Sequence, residues 1–252
     1  MKRYPNGIKK EGFVQKKVSD YFPNWIKTKS VTRKGQTAIK MLVCNDRDTL
    51  KYLANQACIT PHIWLSKKDD LNRPNRMVFD LDPPGKNFAI VIEAARDLRK
   101  LLERELGLKA FVMTTGSKGL HIVVPIKRDQ TFTEVRSCAR AIAQSLVEKK
   151  KQKYTVNPRK SSRRGKLFID YLRNGYAQTT VAPYAVRALD GAPIATPLSW
   201  QEVTSKLTAQ SYNLKNIKRR LSKDPWSGIE RSGKSLKPVL KKLGKAPSKK
   251  RT

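Results

Sequence analysis

The sequence predicts an α/β (α+β) domain: one mixed sheet with its long helices packed on a single face. Three observations lead to it. From residue 76 to residue 172 the apolar pattern alternates strand, helix, hairpin, helix and strand. Two stretches, about 88–106 and 131–149, keep apolar residues at helical spacing for longer than a strand would run. The third is an apolar strand at 76–82 (RMVFDLD) that ends in Asp80 and Asp82 and is stopped by Pro83 and Pro84.

Each element has its own signal. The first 30 residues are mixed and basic, with apolar or aromatic positions at Tyr4, Phe13, Val14, Trp25 and Ile26. Residues 37–44 (TAIKMLVC) read as a strand, and a helix follows with Asp46 or Asp48 as its N-cap. From 88 to 106 the residues Val91, Ala94, Ala95, Leu98, Leu101, Leu102 and Leu106 share one helix face, and Gly107 supplies the stop. Strands at 109–114 and 120–126 flank a polar turn, Thr115 to Gly119 (TGSKG). Thr131 and Glu134 form a capping box that starts the second long helix. Residues 149–166 (KKKQKYTVNPRKSSRRGK) are strongly basic and broken by Asn157 and Pro158, so they read as a mobile or nucleic-acid-facing loop. Strands at 167–172 and 179–186 come next, then a short helix capped by Ser199 and Glu202. After about Asp224 the chain becomes rich in Gly, Ser and Lys, and no internal repeat is present.

Composition narrows the partners. The 54 Lys and Arg against 20 Asp and Glu give 54 − 20 = +34 among 252 residues, which suits a polyanion. Nucleic acid is the first candidate; a merely solvated or ribosomal-type basic surface is the plain alternative. No apolar run approaches the roughly 18 residues of a membrane span, so no membrane partner is expected. Cys44, Cys58 and Cys138 are odd in number and lack C-x-x-C spacing, so they read as buried small residues in a reducing cytoplasm.

Three acids sit at or inside strands. Side chains alternate along a strand, so Asp80 and Asp82 share a face. Two adjacent carboxylates repel unless cations lie between them, and hard oxygen ligands suit Mg²⁺ or Mn²⁺. Alone, Asp-x-Asp serves a turn as readily as a metal. Asp170 stands among Phe168, Ile169 and Tyr171, where pairing to an arginine is the alternative to a third metal ligand. The turn between them offers Thr115 and Ser117 hydroxyls, the Lys118 charge and glycines that admit an anion, although such a turn is often only a turn. His121 faces opposite to Leu120 and Ile122, and a single strand histidine is usually structural.

Taken together, FDLDP around Asp80 and Asp82, TGSKGLH around Lys118 and His121, and FIDY around Asp170 resemble the three motifs of the archaeo-eukaryotic primase superfamily. More closely, the chain resembles the polymerase domain of bacterial DNA ligase D, over essentially its whole length. Further segments that carry the resemblance are KRYPNG at 2–7, GFVQK at 12–16, HIWLS at 62–66, TTVAPYAVR at 179–187 and WSGIER at 226–231.

The resemblance implies a primase-like catalytic sheet with an RRM-like core at 71–222, a partial N-terminal α/β module at 1–70 and a basic tail at 223–252. It makes Asp80, Asp82 and Asp170 the catalytic metal ligands for two Mn²⁺ or Mg²⁺ ions. Thr115, Ser117, Lys118, Gly119 and His121 would hold the incoming nucleoside triphosphate, with His62, Arg163 and Arg187 lining the same pocket. Phe13, Val14 and Lys16 would meet DNA, with Val14 a departure from an aromatic pair. The implied activity is nucleotide addition at DNA 3′ ends, in gaps and on primer-templates, during non-homologous end joining. A separate DNA ligase and a Ku-type end-binding protein are the implied partners, and a cytoplasmic, nucleoid-associated location follows. Relatives usually carry a segment before KRYP; without it, Tyr4 and Trp25 are expected to stand more exposed than in a longer relative. Two rivals are an end-binding accessory protein with an impaired core and a metal-dependent nuclease; Lys118, Arg163 and Arg187 argue against the nuclease, which has no pyrophosphate to hold.

Overall fold

The computed structural model describes residues 1–32, 35 and 37–244. Its centre is a six-stranded sheet in the order Tyr154–Thr155, Leu167–Asp170, Arg76–Asp82, Leu120–Pro125, Phe111–Thr114 and Pro197–Leu198. Neighbours run antiparallel, except that Tyr154–Thr155 is parallel to Leu167–Asp170. The two-residue period divides the central strand cleanly. Met77, Phe79 and Leu81 go to one face, where the two long helices cover them; Arg76, Val78, Asp80 and Asp82 go to the other.

The helix-side core joins Phe79, Leu81 and Ile122 of the sheet to Val91, Ala95 and Leu98 of Ala89–Lys100 and to Val135, Ala139 and Ile142 of Phe132–Lys149. Fully burying one such large side chain contributes about 1.5–3 kcal/mol, so this layer fixes the sheet on which the acids stand. The first helix ends through a π-helical turn, Leu101–Glu105, in which Leu106 N–H donates to Leu101 O, and Gly107 leaves it with φ +66°. The second begins at the predicted capping box: Thr131 Oγ1 accepts from Glu134 N–H, and Glu134 accepts from Thr131 N–H.

A second, smaller core lies on the acid-bearing face. Val78, Met113 and Val123 are covered there by Leu65, Val181, Trp226 and Ile229, and Trp226 Nε1 donates to Val112 O at 3.1 Å. The N-terminal part adds small two- and three-stranded sheets, with Lys2–Arg3 between Phe13–Val14 and Cys58–Thr60 and Thr28–Val31 paired to Ile39–Leu42. Its helix, Arg47–Asn55, takes Asp46 as N-cap.

Three expectations are corrected. The strand at 179–186 is only Thr179–Val181, because Pro183 cannot donate to a ladder and Tyr184 turns with φ +63°. The basic run from 149 is not uncompensated: Lys149 pairs with Glu105, Lys150 with Glu93 and Asp97, and Lys153 with Glu93. The segment after Asp224 is not a free tail, since Trp226, Ile229, Leu236 and Val239 are buried and Lys237–Gly244 is helical; residues 245–252 lie outside the described residues. Tyr4 is buried, packed against Gly12, whereas Trp25 is 53 % exposed. No helix among the described residues is long and apolar enough to cross a membrane.

Candidate active site

The register of three antiparallel strands builds the site. Asp80 stands directly opposite His121 on one side and Asp170 on the other, and Asp82 stands opposite Phe168. Facing residues in such ladders have Cα atoms about 4.5–5.5 Å apart. Two strands far apart in sequence therefore set Asp80, Asp82 and Asp170 on one face at the Asp82 end of the central strand. The double proline ends pairing just beyond, which leaves that end open.

Two arginines sit against these acids. Arg173 places Nη2 at 3.5 Å from Asp80 Oδ2 and Nε at 3.4 Å from Asp170 Oδ2. Arg163 donates to Asp82 at 2.7 Å and to Pro158 O at 3.1 Å, while its guanidinium lies 4.1 Å from the Phe168 ring centre. His121 Nε2 is 3.6 Å from Asp80 Oδ2. Burial raises the Asp80 carboxyl most strongly, yet His121 and Arg173 outweigh it and hold the group below the usual carboxylate range. Asp170 moves the other way: burial pushes it up, the hydrogen bond from Leu172 N–H pulls it down, and the neighbouring Asp80 charge adds to the rise. The two opposed carboxyls are thus driven apart in acidity.

Among the described residues, no three His, Cys, Asp or Glu side chains are grouped closely enough to hold a metal ion. The guanidinium groups lie where convergence would bring cations. In its chemistry the donor set fits hard divalent ions, since it consists of carboxylate oxygens on one sheet face at an open strand end.

The turn beside the acids is tightly built. Thr115 Oγ1 accepts from Gly119 N–H at 3.2 Å and donates to Gly119 O at 3.0 Å, so this buried hydroxyl shapes the turn and is not presented to a ligand. Gly119 is required, because a Cβ there would lie 2.0 Å from Leu81 O on the central strand. Gly116 has φ +65° and no room beside Arg187 and Ala195. Arg187 braces the turn by donating to Thr115 O at 3.0 Å. Ser117 is half-buried, and Lys118 is exposed with no ion pair among the described residues.

His62 lies on His62–Trp64, paired with Val181. Burial, joined by the positive Met1 amino group and by Arg187 and Arg173, pushes this histidine down to about 4. Its ring is neutral at pH 7. Nδ1 is 3.1 Å from Thr60 O, a pure acceptor, so Nδ1 carries the proton and Nε2 accepts. Phe13 and Val14 are exposed on their short strand with Arg3 5.4 Å from the Phe13 ring centre, and Lys16 is exposed beside them.

The model of the LigD primase-polymerase domain matches residues 1–226. The chain belongs to this family. Similar relatives include the multifunctional non-homologous end joining protein LigD of Mycolicibacterium smegmatis, 35% identical over 205 residues, with 80% of this chain and 27% of the relative covered. The LigD of Pseudomonas aeruginosa is 34% identical over 89% of this chain and 27% of its own length. The bifunctional LigD of Bacillus subtilis is 30% identical over 88% and 35%. The chain therefore spans roughly a quarter to a third of these LigD proteins. Among solved structures, the polymerase domain of Mycobacterium tuberculosis Ligase D in complex with DNA aligns with a TM-score of 0.78 at 27% identity, over 98% of this chain and 84% of that one.

Within this LigD-type domain, sequence reasoning missed Arg173 and Asn174. Asn174 is fully buried; its Oδ1 accepts from Val78 N–H, and its Nδ2 donates to Val78 O and Tyr171 O. It ties the turn after Asp170 to the central strand and so sets where Arg173 reaches. Their only sequence signal is position, three and four residues past a strand acid.

Proposed function

We propose that this domain is a primase-like nucleotidyltransferase that extends DNA 3′ ends from nucleoside triphosphates, filling gaps in non-homologous end joining. The observation that carries it is the ladder register that opposes Asp170 and His121 to Asp80, with Asp82 two residues along on the same face. Asp80, Asp82 and Asp170 would hold two Mn²⁺ or Mg²⁺ ions, which would supply positive charge to stabilise phosphoryl transfer. For that, Arg163 and Arg173 must release the acids.

The chain's own residues have distinct tasks. Lys118 offers an unpaired ammonium to the triphosphate, Arg187 holds the turn that presents it, and Ser117 adds a hydroxyl. His62, neutral with Nε2 accepting, suits a sugar hydroxyl better than a phosphate oxygen. His121 stays against Asp80 and orients it. Phe13, Val14 and Lys16 form an exposed apolar and basic edge suited to DNA. No lysine motif in these 252 residues stands out as a ligase nucleophile, so sealing falls to a ligase outside them, and a Ku-type protein would present the ends. Such work belongs at the nucleoid.

Primer extension with each metal and with ribo- and deoxynucleotides tests this reading. Asp82→Ala should abolish extension and leave DNA affinity within about threefold, because the basic surface supplies most of the binding. The arginine–acid pairs favour one second reading, an end-binding protein with a silent core; absence of extension with either ion would select it.

A further inference from the structure

At the Arg76 end of the central strand, away from the acids, a cleft of about 210 Å³ opens between the sheet and the segment after Trp226. Arg76 and Asp80 are separated by four residues of strand, roughly 13 Å. Between them buried Val78, Val123 and Trp226 line a cavity of only about 10 Å³, so the cleft is not an open extension of the acid site.

Its wall is firmly held. Trp226 and Ile229 are buried in the second core, and Lys127 N–H donates to Lys234 O at 2.9 Å. Gly233 approaches Ile126 so closely that a Cβ would lie 3.1 Å from its backbone.

The lining is unbalanced in charge. Lys67, Arg76, Lys127, Arg128 and Arg231 face a single carboxylate, Glu230. Glu230 is taken twice, by Arg76 at 2.5 Å and Lys67 at 3.1 Å. Arg128 donates to Asp69 at 2.6 Å from Nη1, but its Nε is buried without a partner. Lys127 and Arg231 are exposed and have no ion pair or side-chain hydrogen bond among the described residues. More donors converge here than the protein satisfies, and forked guanidinium groups beside a lysine match the several oxygens of a phosphate better than they match the two of a carboxylate.

We propose that this cleft is a second phosphate-binding site that grips a backbone phosphate of nucleic acid away from the reacting end. The inference rests on the proposed DNA-binding function for the source of the phosphate, though not for the chemistry of the site. The test compares native protein, a Lys127→Glu/Arg231→Glu double variant, and a Lys100→Glu/Lys206→Glu control that makes the same charge change at exposed lysines of the helix side. Duplex DNA binding is measured across salt, and thermal stability with and without inorganic pyrophosphate. At 0.1 M salt the cleft variant should bind duplex about tenfold more weakly, with its log–log salt slope shallower by about two, while the control keeps the native slope. An unchanged DNA slope together with loss of pyrophosphate stabilisation in the cleft variant alone would keep the phosphate site and assign it to free anions. Equal behaviour of the two variants in both measurements overturns the proposal, as does competition by poly-glutamate as strong as that by DNA. Primer extension at saturating DNA should persist in the cleft variant, so this result stands apart from the Asp82→Ala test.

Discussion

Lys118 and His62 show how two polar residues beside one site differ through their surroundings alone. Lys118 sits at the tip of a turn whose Thr115 hydroxyl and glycines hold its shape, so its ammonium is the free charge there. Lys118→Ala should therefore raise the nucleotide KM about tenfold or more and change DNA affinity little; a variant that loses DNA affinity with KM intact would make the turn a DNA contact. His62 is governed by burial. Between pH 6.5 and about 4 the unfolded chain takes up a proton on this ring that the folded chain refuses. The folded pKa is lowered, so stability is complete above pH 6.5 and falls as pH drops, by up to about 3 kcal/mol near pH 4. Urea midpoints at pH 7.5 and 4.5 check this. His62→Gln should lose less stability than the native protein over that window, and equal losses would show that the ring titrates freely.

At the scale of elements, Asn174 links the turn after Leu167–Asp170 to the central strand with three hydrogen bonds in a fully buried position. Asn174→Ala would leave both polar groups of Val78 unpaired and should cost about 2–4 kcal/mol, read as a lowered denaturation midpoint. Extension activity should fall as well, because Asp170 and Arg173 lose their fixed placement. The strands themselves were legible in the sequence: period two put Asp80 and Asp82 on one face, and Thr131 with Glu134 announced a helix. Arg173 was not legible, since its reach depends on pairing between strands separated by 170 − 82 = 88 residues. The lysines at 149–153 misled for the same reason. Their partners, Glu93, Asp97 and Glu105, come from another helix, and a local charge run carries no trace of them. Trp226 and Ile229 were hidden differently, in a stretch whose Gly, Ser and Lys content resembles a solvated terminus.

For the whole molecule, the C-terminal segment supplies both apolar packing and positive charge. Val239 is buried and Leu240 packs against the helix-side core, whereas residues 245–252 contribute Lys245, Lys249, Lys250 and Arg251. Removing 237–252 should lower the denaturation midpoint by the equivalent of about 2–4 kcal/mol, through lost apolar burial. Removing only 245–252 should leave that midpoint in place and flatten the salt dependence of DNA binding; an unchanged slope would mean that these cations do not meet phosphate. The acidic pairing on the helix layer has a further consequence. Residues 89–105 carry Glu93, Asp97, Glu103 and Glu105 against Arg96, Arg99, Lys100 and Arg104, which is 4 − 4 = 0 in a protein of +34. The excess charge therefore lies on elements other than the first long helix, so it is spread unevenly over the molecule. In the field of a polyanion such a body experiences a torque before it makes any contact. It turns its charge-balanced first helix outward while still at a distance, so that a productive encounter begins as a rotation.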